Sequence, residues 1–105
     1  MIMTFADDET RKVFEDIRSK KLPAEIQAVA GRKLRYLHAA TLITELRLPP
    51  SNQLEKLDPA SANRWSIRIN RKWRVCFVWT ERKPSDNETP QPGDAYEVEI
   101  TNHYD

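Results

Sequence analysis

Asn63-Arg64-Trp65-Ser66-Ile67-Arg68-Ile69-Asn70-Arg71-Lys72-Trp73-Arg74-Val75-Cys76-Phe77 is the stretch on which the fold turns. Trp65, Ile67 and Ile69 alternate with Ser66, Arg68 and Asn70, the two-residue period of a half-buried strand. Asn70-Arg71-Lys72 is a polar break that predicts a turn. Trp73 to Thr80, rich in aromatic and β-branched residues, predicts a second strand. If the apolar set faces a core, Ser66, Arg68 and Asn70 lie on the opposite, open face, and Arg74 can join Arg68 there across the hairpin. Outward towards the C-terminus, residues 81–93 hold three prolines with Ser, Asp, Asn and Gly and read as a long flexible loop. Tyr96, Val98 and Ile100 then alternate with Glu97, Glu99 and Thr101 in a final strand.

Outward in the other direction the period changes. Val13, Phe14 and Ile17 follow the capping oxygens of Asp7 and Asp8, predicting a helix near residues 8–20. Pro23 suits the first turn of a second helix, whose inner face is traced by Ile26, Val29, Ala30, Leu34 and Leu37 and which ends near His38. Leu42, Ile43 and Leu46 fit a brief third helix stopped by Pro49-Pro50, and Ile2 to Phe5 fit a short edge strand. Two to three helices followed by an antiparallel sheet predict an α+β fold, with residues 1–105 as a single domain.

Composition narrows the function classes. Of 105 residues, 31% are charged, and no apolar run approaches the about 20 residues of a membrane span. The acidic start, Met1-Ile2-Met3-Thr4-Phe5-Ala6-Asp7-Asp8-Glu9, does not read as a secretory signal, which predicts a cytoplasmic protein. The single cysteine, Cys76, excludes an internal disulfide and the usual zinc patterns, and two distant histidines supply no metal-ligand spacing. With only Gly31 and Gly93 there is no Gly-rich phosphate loop, and no cofactor is expected.

The net charge of +1 conceals an uneven distribution. Arg64, Arg68, Arg71, Lys72 and Arg74 lie within eleven residues without an acid, whereas the chain from Glu81 onward carries seven acids against Arg82 and Lys83. A basic stripe of this kind is the footprint of a phosphate-binding surface, although a solvated charged face gives the same pattern. Arg68 and Arg74 side by side favour an anion between them, since guanidinium keeps its charge and can bond two phosphate oxygens. The competing reading pairs each arginine with a carboxylate of the last strand, such as Glu97 or Glu99. The C-terminal Asn102-His103-Tyr104-Asp105 should sit beside the hairpin. There His103 can exchange a proton near neutral pH and Tyr104 can stack on a base, unless the four residues are a frayed tail. His38 reads as a helix-terminal residue and Cys76 as packing.

The hairpin stretch, together with Gly93-Asp94-Ala95-Tyr96-Glu97-Val98-Glu99-Ile100, Phe5, Pro23 and the Leu54–Leu57 approach to the hairpin, resembles the HigB toxins, also called plasmid-maintenance killer proteins. These form a branch of the RelE-like toxins. The resemblance implies helices packed on one face of a small antiparallel sheet and a ribosome-dependent endoribonuclease that cuts mRNA in the A site. The implied reaction is attack by the RNA's own 2′-OH, without a metal. The roles it implies are phosphate stabilisation by Arg68 and Arg74 and proton transfer or stacking by His103 and Tyr104. Lys56, Arg64, Asn70, Arg71, Lys72 and Asn102 would contact RNA. The implied partners are a HigA-like helix-turn-helix antitoxin, the 70S ribosome with its mRNA, and operator DNA through the antitoxin. The chain departs from the family where Asn102-His103-Tyr104 stands for a common Asp-Tyr-His, where Asp58 replaces a frequent lysine, and where Arg71 replaces an acid or small polar residue. A non-catalytic RNA- or protein-binding module, or a weakened toxin serving mainly in operon autoregulation, would share the same hairpin.

Overall fold

The computed structural model describes residues 1–57, 63–83 and 91–103. Helix α1 spans Asp8–Phe14 and α2 spans Ala24–Ala39, and two 3-10 turns follow at Ile43–Arg47 and Pro50–Asn52. Strands β1 (Glu55–Lys56), β2 (Arg64–Arg68), β3 (Arg74–Glu81) and β4 (Gly93–Thr101) form one antiparallel sheet in that order. The fold is α+β, as the change of period predicts.

Each helix boundary has a local cause. The Asp7 carboxylate caps α1 by accepting from the Thr10 N–H at 2.7 Å. The expected continuation to Lys20 does not form, because Asp16 turns into the left-handed region at φ 61°. Side-chain bonds then hold the chain in a compact turn. Buried Ser19 donates to Glu9 at 2.7 Å and accepts from the N–H groups of Lys21 and Leu22, while the Gln27 amide donates to the Ser19 and Leu22 carbonyls. Pro23 occupies the position just before α2, where a missing N–H is harmless. The brief third helix is a 3-10 turn: the Glu45 carboxylate accepts from the Thr41 hydroxyl and from the Leu42 N–H, fixing its entry.

The core lies between α2 and one face of the sheet. Ile26, Ala30, Leu34 and Leu37 of α2 bury themselves with Ile67 of β2, Val75 and Phe77 of β3, and Val98 and Ile100 of β4. The expected N-terminal edge strand appears as two isolated parallel bridges along β4, Ile2 to Ala95 and Phe5 to Val98. Arg82 clasps Asp94 with two hydrogen bonds of 2.9 Å, and the Met1 amino group adds a third contact at 3.1 Å. The Arg82 guanidinium, the largest influence, holds the Asp94 carboxyl down to about 2, with the amino group assisting against the opposing effect of burial.

One strand departs from simple alternation. The β3–β4 register shifts between Cys76 and Val78, where Glu97 adopts φ 52° on β4. This bulge reverses the parity of the strand: Val98 and Ile100 join the core, but Tyr96 pairs with Val78 on the opposite side. The expected grouping of Tyr96 with Val98 and Ile100 is therefore corrected. Of the expected flexible loop, residues 84–90 lie outside the described residues.

Candidate functional site

Strand register brings the hairpin arginines together as expected. Arg68 of β2 is directly opposite Arg74 of β3, and Arg74 is opposite Thr101 of β4. The row thus runs from one arginine to the other and on to the strand end that leads into Asn102 and His103. Both of these are exposed, and the His103 N–H donates to the Thr101 hydroxyl at 3.0 Å. Tyr104 lies outside the described residues, as does Asp58.

The two arginines differ sharply in environment. Arg74 is only 6% exposed. Its Nε donates to the Ser66 hydroxyl at 2.7 Å and its Nη2 to the Gln53 carbonyl at 2.5 Å, with the Glu55 carboxylate 3.8 Å away. The expectation of an open guanidinium at Arg74 is corrected: the turn after Pro50–Asn52 lies against it and supplies the Gln53 carbonyl as one acceptor, with Ser66 of β2 as another. Arg68 is half-buried and makes no hydrogen bond or ion pair among the described residues, which leaves its fork available to an anion.

The remaining basic candidates divide in the same manner. Arg64 donates to Glu99 at 2.8 Å, a last-strand pairing that the competing reading expected at Arg68 and Arg74 instead. Lys56 is opposite Trp65 and sits 5.7 Å from its ring centroid, on the face away from Arg64 and Arg68. Asn70 is part of the turn itself: its side-chain oxygen accepts from the N–H groups of Lys72 and Trp73, both at 2.8 Å. Arg71 and Lys72 are exposed on that turn. His38 accepts from the Ile2 N–H at Nδ1 and lies 5.1 Å from the Phe14 ring, a structural role. Cys76 is fully buried, and burial pushes its thiol up to about 11, so it stays protonated at neutral pH. Among the described residues no group of three His, Cys, Asp or Glu is arranged to hold a metal, and no helix is long and apolar enough to cross a membrane.

Residues 3–88 match the family model of the HigB-like toxins, described as the RelE-like toxin of the type II toxin–antitoxin system HigB. The chain belongs to the HigB-like toxin family. Toxin HigB-1 of Vibrio cholerae is 34% identical over 82 residues, covering 77% of this chain and 86% of the relative. An uncharacterised protein of Haemophilus influenzae is 36% identical over 77 residues, covering 71% and 75% of the two chains. Two helices over a four-stranded antiparallel sheet agree with the RelE-like architecture expected of a HigB-like chain. Membership in a type II system implies an antitoxin as partner.

Two residues escaped the sequence reading. Lys33 is 3% exposed, with its ammonium donating to the Asn52 side-chain oxygen at 2.7 Å and the Ser51 hydroxyl at 3.2 Å. Asn52, fully buried, passes the connection on by donating to the Leu46 and Leu48 carbonyls. The signal for Lys33 was present: it falls on the same helical spacing as Ile26, Ala30 and Leu37, where an apolar residue is the norm.

Proposed function

We propose that the chain is a ribosome-dependent endoribonuclease that cuts mRNA in the A site and is neutralised by a HigA-like helix-turn-helix antitoxin. The observation that carries this reading is the cross-strand row in which Arg68 and Arg74 stand side by side and abut the strand that delivers His103. The 2′-OH oxygen of one nucleotide attacks the adjacent phosphorus, forming the O2′–P bond while the P–O5′ bond breaks. A base takes the 2′ proton, an acid gives one to the departing 5′ oxygen, and the products are a 2′,3′-cyclic phosphate and a 5′-hydroxyl. Because the RNA supplies its own nucleophile, the step requires charge stabilisation and proton transfer rather than a metal-activated water.

Arg68, with its guanidinium uncommitted, contacts the phosphate and stabilises its developing charge. Arg74 acts from beneath as a fixed positive charge and holds the Gln53 turn in place. His103 exchanges the proton, and Tyr104 stacks on an A-site base. Arg71, Lys72 and Asn102 meet the RNA backbone from the exposed rim. Arg64 assists from a position already engaged with Glu99, while Lys56, stacked near Trp65 on the opposite face, would meet RNA only away from the Arg68 phosphate. Operator DNA is reached only through the antitoxin, and a ribosomal substrate places the activity in the cytoplasm.

Burial of Arg74 and the Arg64–Glu99 pair favour one competing reading, a non-catalytic RNA- or protein-binding module whose hairpin cations are structural. Deleting residues 102–105 separates the two. The toxin loses cleavage while its sedimentation with ribosomes persists; a chain that never cut programmed ribosomes before the deletion is the binding module.

A further inference from the structure

A cleft of about 390 Å³ opens between α2, the turn at residues 51–53 and the end of β2. Three cations line it, Arg32, Lys33 and Arg68, with the polar side chains of Ser51, Gln53 and Asn70 and, among the described residues, no acid. Arg32 is exposed on α2, and Arg68 makes no hydrogen bond or ion pair among the described residues. Lys33 is the informative member. Its ammonium is buried, bonds only neutral oxygens among the described residues and lies 5.6 Å from the Tyr36 ring centroid. No carboxylate lies within ion-pair distance of it among the described residues.

A buried cation without a counter-ion is costly, and neighbouring like charges add to the cost. Both effects act here: burial depresses the Lys33 ammonium below the usual lysine range, and Arg32 pushes in the same direction. An anion in the cleft would relieve the two together. The cleft also continues into a track, since Asn70 leads directly to the exposed Arg71 and Lys72 of the β2–β3 turn. Cations spaced along such a path suit a chain of regularly repeated phosphates.

We propose that this cleft is a phosphate site that holds an internal phosphodiester of single-stranded RNA through Arg32, Lys33 and Arg68. The choice of RNA as the source of the phosphate rests on the RNA-cutting reading above; the anionic character of the ligand does not. Lys33 supplies the fixed charge at the cleft wall, and Arg32 closes on the phosphate from α2. The cleft thereby extends RNA contact from the sheet to the helical layer.

The test is fluorescence anisotropy of the full chain with a labelled RNA decamer lacking a 5′-phosphate and 2′-deoxy throughout its potential cleavage sites, over a salt series. Arg32→Ala is expected to weaken binding about 5- to 10-fold near 0.1 M salt and to flatten the log–log salt slope by about 0.7, one phosphate contact on a single strand. Arg32→Glu should weaken it further, and both variants should melt at the wild-type temperature. Unchanged affinity and slope in both variants would overturn the proposal. So would Arg32-dependent binding that appears only when the decamer carries a 5′-phosphate, or only with a labelled polyglutamate peptide. Ribosomal cleavage by the wild type, measured in parallel, keeps the two readings apart. Normal cleavage with Arg32-independent decamer binding removes the phosphate site alone; absent cleavage with Arg32-dependent binding removes the RNA-cutting reading alone.

Discussion

Arg68 and Arg74 face each other across one hairpin yet should respond to mutation in opposite ways. Arg74→Ala leaves the buried Ser66 hydroxyl without its Nε donor, which costs about 1–3 kcal/mol for an unsatisfied polar group. Its melting temperature should therefore fall by several degrees, and lost activity in that variant reports on folding as well as on charge. Arg68→Ala removes no bond among the described residues, so it should melt within about 1 °C of the wild type. Its cleavage rate should nevertheless drop by about 100-fold, the scale of a lost oxyanion donor. A normal rate for Arg68→Ala in a ribosomal cleavage assay contradicts the role assigned to its guanidinium. Cys76 offers a check on the same face. With its thiol held near 11 by burial, alkylation at pH 8 should be negligible in the folded protein and rapid in denaturant. Labelling of the folded chain at the denatured rate would contradict the burial of this thiol.

At the scale of elements, legibility tracked the strength of the local pattern. The β2–β3 hairpin and α2 follow directly from two-residue and helical periodicity, and Pro23 and Pro49-Pro50 mark boundaries by sterics alone. Two features did not follow. Helix α1 stops at Phe14 because a network around Ser19 and Gln27 outcompetes helix continuation, and such long-range side-chain bonds leave no period in the sequence. The bulge at Glu97 moves Tyr96 to the other face, and a glutamate in the left-handed region has no sequence signature comparable to glycine. The Asp94 staple joins three elements and carries its own pH dependence. Its carboxyl is depressed in the folded chain, from the ordinary 3.8 to about 2, so its stabilisation is complete above 3.8 and is lost as pH falls towards 2. Because Arg82 is half exposed, solvent screening keeps the contribution small. Asp94→Asn should be slightly less stable than the wild type at neutral pH and match it once the pH falls below about 2 in chemical denaturation; a constant difference across that window contradicts the ion-pair account.

At the scale of the whole molecule, the α+β architecture and the family were both legible, because alternation and helical spacing survive in any sequence that buries one face of each element. The candidate site was legible only in part. Sequence position brought Arg68, Arg74 and the C-terminal segment to one end of the sheet. What it did not disclose was the turn at residues 51–53, which covers Arg74, satisfies it and joins it to Lys33 through Asn52. Those contacts bridge segments 19 to 21 residues apart without periodic pattern. Lys33, missed although it is a charge on an apolar stripe, draws attention to the helical layer as a second place where phosphate can be held.

The most direct test of the central claim is cleavage of a defined mRNA positioned on purified 70S ribosomes, with chelator present and the new 3′ ends mapped. Cuts within the A-site codon that end in a 2′,3′-cyclic phosphate, absent when the mRNA is free of ribosomes, are the predicted result. Intact mRNA on ribosomes to which the chain binds tightly would contradict it.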